Sequence, residues 1–250
     1  MRLADLTDYL DTYLDLRGVR DAPAALNGLQ ISNDGSVTRV GVAVDASEAT
    51  IRLAVEQGVD FLVVHHGIFW GGLRPLTGPF YRRVAALISH NIALYGAHLP
   101  LDCHGEVGNA VLLAARLGLT VRGGFGEWQG QVVGVWGETD TGRDAFTAVL
   151  AAALGATPRL LACGPERVRR VAVATGGGGS LIAQAHVASL DTFVTGEGAH
   201  HTYFDAEELG VNVYYGGHYL TETFGVKALA EHLSAKFSLP WVFIDHPTGL

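Results

Sequence analysis

The sequence predicts an α/β protein built from a duplicated α/β unit with pseudo-two-fold symmetry. Three observations predict it. Short apolar runs alternate with stretches of helical spacing, the pattern of βαβ units. Val37–Ala43 lines up with Val168–Ala174 at an offset of 131, and Ile51, Asp60 and Val63 meet Ile182, Asp191 and Val194 at the same offset. Tyr95-Gly96-Ala97-His98 then lines up with Tyr215-Gly216-Gly217-His218 at an offset of 120, which carries Asp102 onto Glu222 and Leu113 onto Leu233. Two βαβ units share apolar positions by chance. Shared histidines and carboxylates at matched strand ends are a different matter. The halves fall at residues 1–125 and 126–250, the second including a short β-α-β segment over 128–164. The drop in offset gives the first copy the longer connection.

Each element has its own local reason. Leu3, Leu6, Leu10, Tyr13 and Leu14 share one helical face, with aspartates between them, so residues 3–16 read as an amphipathic helix. Asn27-Gly28 turns the chain into a strand at Leu29–Ile31. Val40–Val44 is a buried strand, Ser47 an N-cap, Ala49–Gln57 a helix and Gly58 its stop. Phe61–Val64 is the next buried strand. Residues 71–80 are rich in Gly and Pro and read as a loop, followed by a helix over 81–90, a strand at Ile92–Tyr95 and a helix at Asn109–Leu117. Val132–Trp136, Asp144–Leu154 and Arg159–Ala162 make strand, helix and strand. Val171–Ala174, Phe193–Thr195 and Val213–Tyr215 are strands of the second copy, with a helix over Ala199–Leu209.

Composition bounds the function. The chain has 250 residues and a formal net charge of −8, and a general nucleic-acid binder would carry a basic face instead. An acidic protein still binds a phosphorylated ligand where a metal or a loop supplies local positive charge. Two cysteines, Cys103 and Cys163, make no disulfide framework. The N-terminus, interrupted by Asp5, Asp8 and Asp11, reads as no signal peptide, and no uncharged apolar stretch is long enough to span a membrane. A cytoplasmic protein is expected.

The chemistry-bearing residues gather at strand ends, where open α/β sheets bind ligands. His65-His66 follows Phe61–Val64. His98 and Asp102 follow Ile92–Tyr95, and His218 and Glu222 follow Val213–Tyr215. Each His-x-x-x-acid pair has i,i+4 spacing, which sets imidazole and carboxylate on one face of a helical turn. An isolated histidine pair is more often a capping or core feature. Here it has partners, and imidazoles with carboxylates able to bridge two cations are what a two-metal site needs. The site is expected at the carboxyl ends of the strands, between the halves. Mixed N/O ligation suits Zn, Mn, Fe or Co. Glu197, in Gly196-Glu197-Gly198, reads as an orienting carboxylate, a general base or a charge at a helix N-terminus. His200 and His201 fall in the first turn of the following helix. Gly176–Gly179 with Ser180 is no P-loop and reads as a flexible turn, or, beside a metal site, as a phosphate cradle formed by Gly177, Gly178, Gly179 and Ser180.

Taken together, Leu62-Val63-Val64-His65-His66-Gly67, Tyr95–Asp102, Thr195-Gly196-Glu197 and Gly217-His218-Tyr219-Leu220-Thr221-Glu222 resemble the NIF-three-like proteins. These are dinuclear-metal proteins often labelled GTP cyclohydrolase I type 2. Asn27-Gly28-Leu29-Gln30 fits as well, and the resemblance covers nearly the whole chain. It implies metal ligands at His65, His66, Asp102, His218 and Glu222, with His98 in the pocket beside them. It implies two divalent ions and a toroidal homohexamer whose sites face an internal cavity. Longer members carry an extra domain between the halves, for which residues 128–164 are too few.

The expected function is a metal-dependent hydrolase acting on a small anionic, nucleotide-like substrate, with GTP ring opening and formate release as the candidate reaction. Two metals acidify a bridging water and polarise the bond it attacks. Glu197 or His98 would relay a proton. The same ligands also suit a non-catalytic metal-binding hexamer with a scaffold or regulatory role, or a metal-dependent phosphoesterase.

Overall fold

The computed structural model describes residues 1–250. In chain order the elements are α1 (Leu3–Tyr13), β1 (Gly28–Ile31), β2 (Val40–Asp45), α2 (Glu48–Glu56), β3 (Phe61–His66), α3 (Gly78–Ser89), β4 (Ala93–Gly96), α4 (Leu99–Asp102) and α5 (Asn109–Arg116). There follow β5 (Thr120–Trp128), β6 (Gln131–Gly142), α6 (Arg143–Leu154), β7 (Arg159–Ala162), β8 (Arg167–Val173), a 3-10 turn (Gly178–Leu181), α7 (Ile182–Val187) and β9 (Thr192–Thr195). The chain closes with α8 (Thr202–Leu209), β10 (Asn212–Tyr215), α9 (His218–Thr221), α10 (Thr223–Phe237) and β11 (Trp241–Phe243). It forms two compact units, Met1–Leu101 with Gly225–His246, and Asp102–Phe224 with Pro247–Leu250.

The first unit is a five-stranded sheet in the order β1-β4-β3-β2-β11. β4, β3, β2 and β11 run parallel, and β1 closes the edge antiparallel to β4. Val40, Val42, Phe61, Leu62, Val63 and Val64 are fully buried, as expected of parallel strands covered on both faces. Ser47 caps α2 by accepting a hydrogen bond from the Thr50 amide, as its position predicted. The core beneath α2 and α3 joins Ile51, Leu62, Phe80, Leu87, Leu94 and Ile244.

The second unit is a six-stranded sheet in the order β5-β6-β8-β9-β10-β7, parallel from β8 to β10 and antiparallel at both flanks. Residues 131–162 therefore supply an interior strand (β6), an edge strand (β7) and the helix α6 of this unit.

The duplication is visible bond by bond. The Asp60 carboxylate accepts from the amides of Thr38 and Arg39, and Asp191 accepts from those of Arg169 and Arg170. The α2 exit repeats too: Gly58 N–H to Val55 and Val59 N–H to Ala54 become Ser189 to His186 and Leu190 to Ala185. Register pairs Val63 with Tyr95 and Val194 with Tyr214. The two last strands thus overlay at 119, and the offset of 120 returns through one extra residue in the Gly216-Gly217 turn.

Two local expectations need correcting, and two strands were not expected. Strand β3 runs two residues further than its apolar core, so His65-His66 lies within it. Helix α8 begins at Thr202, which leaves exposed His200 and His201 in the turn before it. β5 escaped notice because Gly123, Gly124 and Gly126 depress strand propensity; pairing with β6 supplies what propensity does not. β11 is three residues long and exists through its ladder to β2, which no local pattern announces.

Candidate metal centre

All the candidate donors stand at, or one short turn beyond, the carboxyl end of a parallel strand. In the first unit they are three histidines. His65 is 1% exposed, and its Nδ1 lies 2.9 Å from the Ala97 carbonyl oxygen. His66 Nδ1 lies 2.9 Å from an oxygen of Asp45, its neighbour across the β2–β3 ladder. His98 Nδ1 lies 2.8 Å from an oxygen of Asp21. Each partner is an acceptor, so each imidazole carries its proton on Nδ1 and presents Nε2 as the lone-pair donor. This is how oxygen acceptors orient metal-binding histidines. One nitrogen from each of the three rings lies within 4.8 Å of the others.

A further layer fixes His98. Its backbone amide donates to Asn27 Oδ1 at 2.8 Å, and Asn27 Nδ2 donates to Asp21 at 2.8 Å. Burial pushes the Asp21 carboxyl up, but hydrogen bonds from His98, Asn27 and the Ala22 amide outweigh it and hold the group below its ordinary range. Gln30 accepts from the Ile68 amide at 2.9 Å. Side chains on Gly67 or Gly96 would collide with its amide, at 2.1 and 2.6 Å. Asn27-Gly28-Leu29-Gln30 is therefore a brace for the histidine loops.

The second unit holds two candidate carboxylates and one imidazole of its own. Asp102 is held by Asn109 Nδ2 at 2.8 Å and Thr175 Oγ1 at 3.3 Å. His218 spans two carboxylates: Nδ1 is 2.9 Å from Glu197 Oε1, and Nε2 is 3.2 Å from Glu222 Oε1. The second contact is the predicted i,i+4 pair. The hydrogen bond with Glu222 raises the His218 pKa, against burial and with help from Glu197, to about 9. In the metal-free chain this imidazole is a cation between two acids. Gly176 sits against them with φ +63°, and a Cβ there would fall 2.1 Å from Glu222 Oε1 and 3.2 Å from His218 Nε2.

The glycine run serves two purposes. The Gly178 amide is spent on Gly176 O and Thr195 Oγ1, and the Gly179 amide on the Glu197 carbonyl. Both amides are thus engaged within the fold. Gly177 and Ser180 line an open cavity of about 400 Å³ together with Glu197, His201 and Thr202.

The donor set fits divalent ions of the Zn, Mn, Fe or Co class: imidazoles oriented through Nδ1, and buried carboxylates fixed by side-chain donors. The Gly176 cradle leaves space at His218 and Glu222 that a side chain would fill. Sequence reasoning missed Asp21, Asp45, Asn109 and Thr175. Asp45 carried a signal, as an acid closing a buried strand beside His66. Asp21 carried none, since only the folded loop brings it to His98.

The family profile described as Duf34/NIF3 (NGG1p interacting factor 3) matches residues 1–249. A protein of Halobacterium salinarum named GTP cyclohydrolase 1 type 2 homolog is 47% identical, covering 98% of this chain and all of that protein. A Deinococcus radiodurans protein of the same name is 42% identical, over 98% of this chain and 94% of its own. The crystal structure of TTHA1606 from Thermus thermophilus covers both chains completely, with 44% identity and a TM-score of 0.92.

Proposed function

The chain belongs to the Duf34/NIF3 family, and on that premise we propose a dinuclear-metal-dependent hydrolase acting on a small nucleotide-like substrate. The candidate reaction is GTP ring opening with formate release. His65, His66, Asp102, His218 and Glu222 would hold two divalent ions. The observation that supports this most is shared by four histidines. His65, His66, His98 and His218 each have Nδ1 engaged by an oxygen, which aims Nε2 as a ligand atom.

Two bound divalent ions acidify water and polarise the bond it attacks. The chain's own residues do the rest. Asp102 and Glu222 offset part of the added positive charge, and the remainder suits an anionic substrate. Ser180 and Gly177, at the cavity shared with Glu197, are placed to receive a phosphate group. Glu197 orients His218 through one oxygen and relays a proton through the other. His98 is the alternative relay. The assembly is proposed to be a homohexamer, which light scattering tests.

One observation favours a second reading, a non-catalytic metal-binding hexamer. Both relay candidates already hold structural bonds, Glu197 to His218 and His98 to Asp21. Metal analysis of gently purified protein, followed by separate formate and phosphate assays with GTP, decides between them. Formate that disappears in His66→Ala and Glu222→Ala supports ring opening. Phosphate alone moves the reaction to a phosphoesterase. Metal without product across several nucleotides favours the scaffold.

A further inference from the structure

One aromatic group stands at the histidine cluster without a role in the foregoing. Trp70 is 40% exposed, although an indole is a side chain that folding ordinarily buries. Its ring meets His98 at 4.8 Å between centroids and 88°, and His66 at 6.1 Å and 87°. The indole is therefore a wall standing at right angles to two of the three imidazoles whose nitrogens converge. Its backbone is pinned. Trp70 forms an antiparallel bridge with Ala25, and the Gly71 amide donates to Ala24 at 3.3 Å. Arg74, two residues past the Gly71-Gly72 turn, donates to the Ile68 carbonyl at 2.8 Å and lies over the Phe80 ring. The backbone that carries the indole is thus anchored at both Trp70 and Gly71.

The surroundings point to the face of a flat, apolar group. Leu26, one residue from the bridge, is exposed, as are Leu73 and Leu76 on the same loop as Trp70. The one cation of this loop, Arg74, is engaged with the Ile68 carbonyl and the Phe80 ring, and beside it the segments present an indole and leucines. A planar heteroaromatic ring has the matching chemistry: a π-face for the indole and ring nitrogens or exocyclic oxygens for the polar centre beside it.

We propose that Trp70 is the stacking wall that selects a planar nitrogen heterocycle, of purine size and polarity, at the His65-His66-His98 cluster. Trp70 is a specificity-determining residue. The inference deepens the nucleotide reading above and rests on it for the substrate's class. It assigns the base to the first unit's histidine cluster.

The test uses the full-length protein with its metal, and guanosine, GTP and pyrophosphate as probes. Binding is measured by calorimetry and by quenching of indole fluorescence. Trp70→Leu should weaken guanosine binding about tenfold to a hundredfold, the usual worth of one stacked base. Trp70→Phe, which keeps a π-face, should recover most of it. Metal content and pyrophosphate affinity should be the same in all three proteins, and the quenching by guanosine should vanish in both variants. Should Trp70→Leu fail to fold, the Phe variant and the wild-type quenching carry the test. Equal guanosine affinity in wild type and Trp70→Leu overturns the proposal, and so does a wild type that binds no guanosine. Trp70 shielded from acrylamide in the ligand-free assembly also overturns it, since a second copy then covers the indole. Stacking without formate from GTP sinks the hydrolase reading alone. Formate release with a KM unchanged in Trp70→Leu sinks the stacking wall alone.

Discussion

Glu197 Oε1 lies 2.9 Å from His218 Nδ1, although the two residues belong to different strand-end loops, after β9 and β10. The contact decides which imidazole nitrogen remains for a metal. It also divides the two carboxylates around His218 into different duties. Glu197 is largely exposed and orients the ring, whereas Glu222 is 3% exposed and faces Nε2. Glu197→Gln keeps an oxygen for Nδ1 but removes the charge, so metal affinity should fall about tenfold to a hundredfold with the fold intact. Glu222→Gln should abolish retention of metal through gel filtration. Equal losses in the two variants would show that the roles are not divided this way.

The proton on His218 gives the metal-free protein a pH signature. Its folded pKa of about 9 exceeds the ordinary histidine value of 6.5, so the stabilisation is complete below 6.5 and is lost as pH rises through 9. A bound metal requires the neutral ring, so metal loading must displace that proton. Apo stability should therefore decline from pH 6.5 to 9.5, while the metal-induced rise in Tm grows over the same window. Thermal melts with and without Mn²⁺ at four pH values measure both. A metal-induced shift that is flat across the window would remove His218 from the ligand set.

Asp60 and Asp191 offer a test of the duplication. Each accepts hydrogen bonds from two successive backbone amides, at positions separated by the repeat offset of 131. Each carboxylate satisfies the equivalent strand-entry amides, so Asp60→Ala and Asp191→Ala should cost similar amounts, about 1–2 kcal/mol apiece, as lost caps do. Urea unfolding with an unchanged m-value reads the difference. A variant that costs nothing would mean that its bonds are replaced by water without penalty.

Much of this architecture was legible in the sequence because it is written locally. Val40–Val44 and Phe61–Val64 are apolar runs bounded by a cap at Ser47 and a stop at Gly58, and the i,i+4 spacing of His218 and Glu222 appears as a contact at α9. What remained hidden depends on distant partners. β5 is glycine-rich and becomes a strand by pairing, and β11 pairs with β2 from the opposite end of the sequence, Trp241 beside Val40. The same holds at the site. His65, His66 and His218 declared themselves as a motif, whereas Asp21 meets His98 across 77 positions and Thr175 meets Asp102 across 73. The candidate donors cluster in motifs because they follow strand ends directly in the sequence. Their orienting partners come from wherever the fold brings an oxygen close.

Gly176 provides the sharpest separation between loss of the site and loss of the fold. Its φ of +63° lies where a side chain costs roughly 1 kcal/mol, a price the protein can bear. The steric consequence is larger and local. A Cβ would stand 2.1 Å from Glu222 Oε1, well inside contact distance, and 3.2 Å from His218 Nε2. Glu222 is buried, so relief of the clash turns it away from His218, and the pair proposed to hold a metal comes apart. Gly177 is the natural control: the nearest atom to its Cβ would be His218 Cε1 at 4.0 Å, an ordinary contact, and its φ is −80°. Gly176→Ala should therefore lose most of its bound metal while keeping native circular dichroism and a melting transition within a few degrees of the wild-type apoprotein. Gly177→Ala should keep both metal and stability. Metal analysis beside thermal melts of the three apoproteins makes the comparison. Full metal retention in Gly176→Ala would mean that Glu222 can relax without leaving the ion, and the assignment of Glu222 as a ligand through the oxygen facing Nε2 would have to be given up.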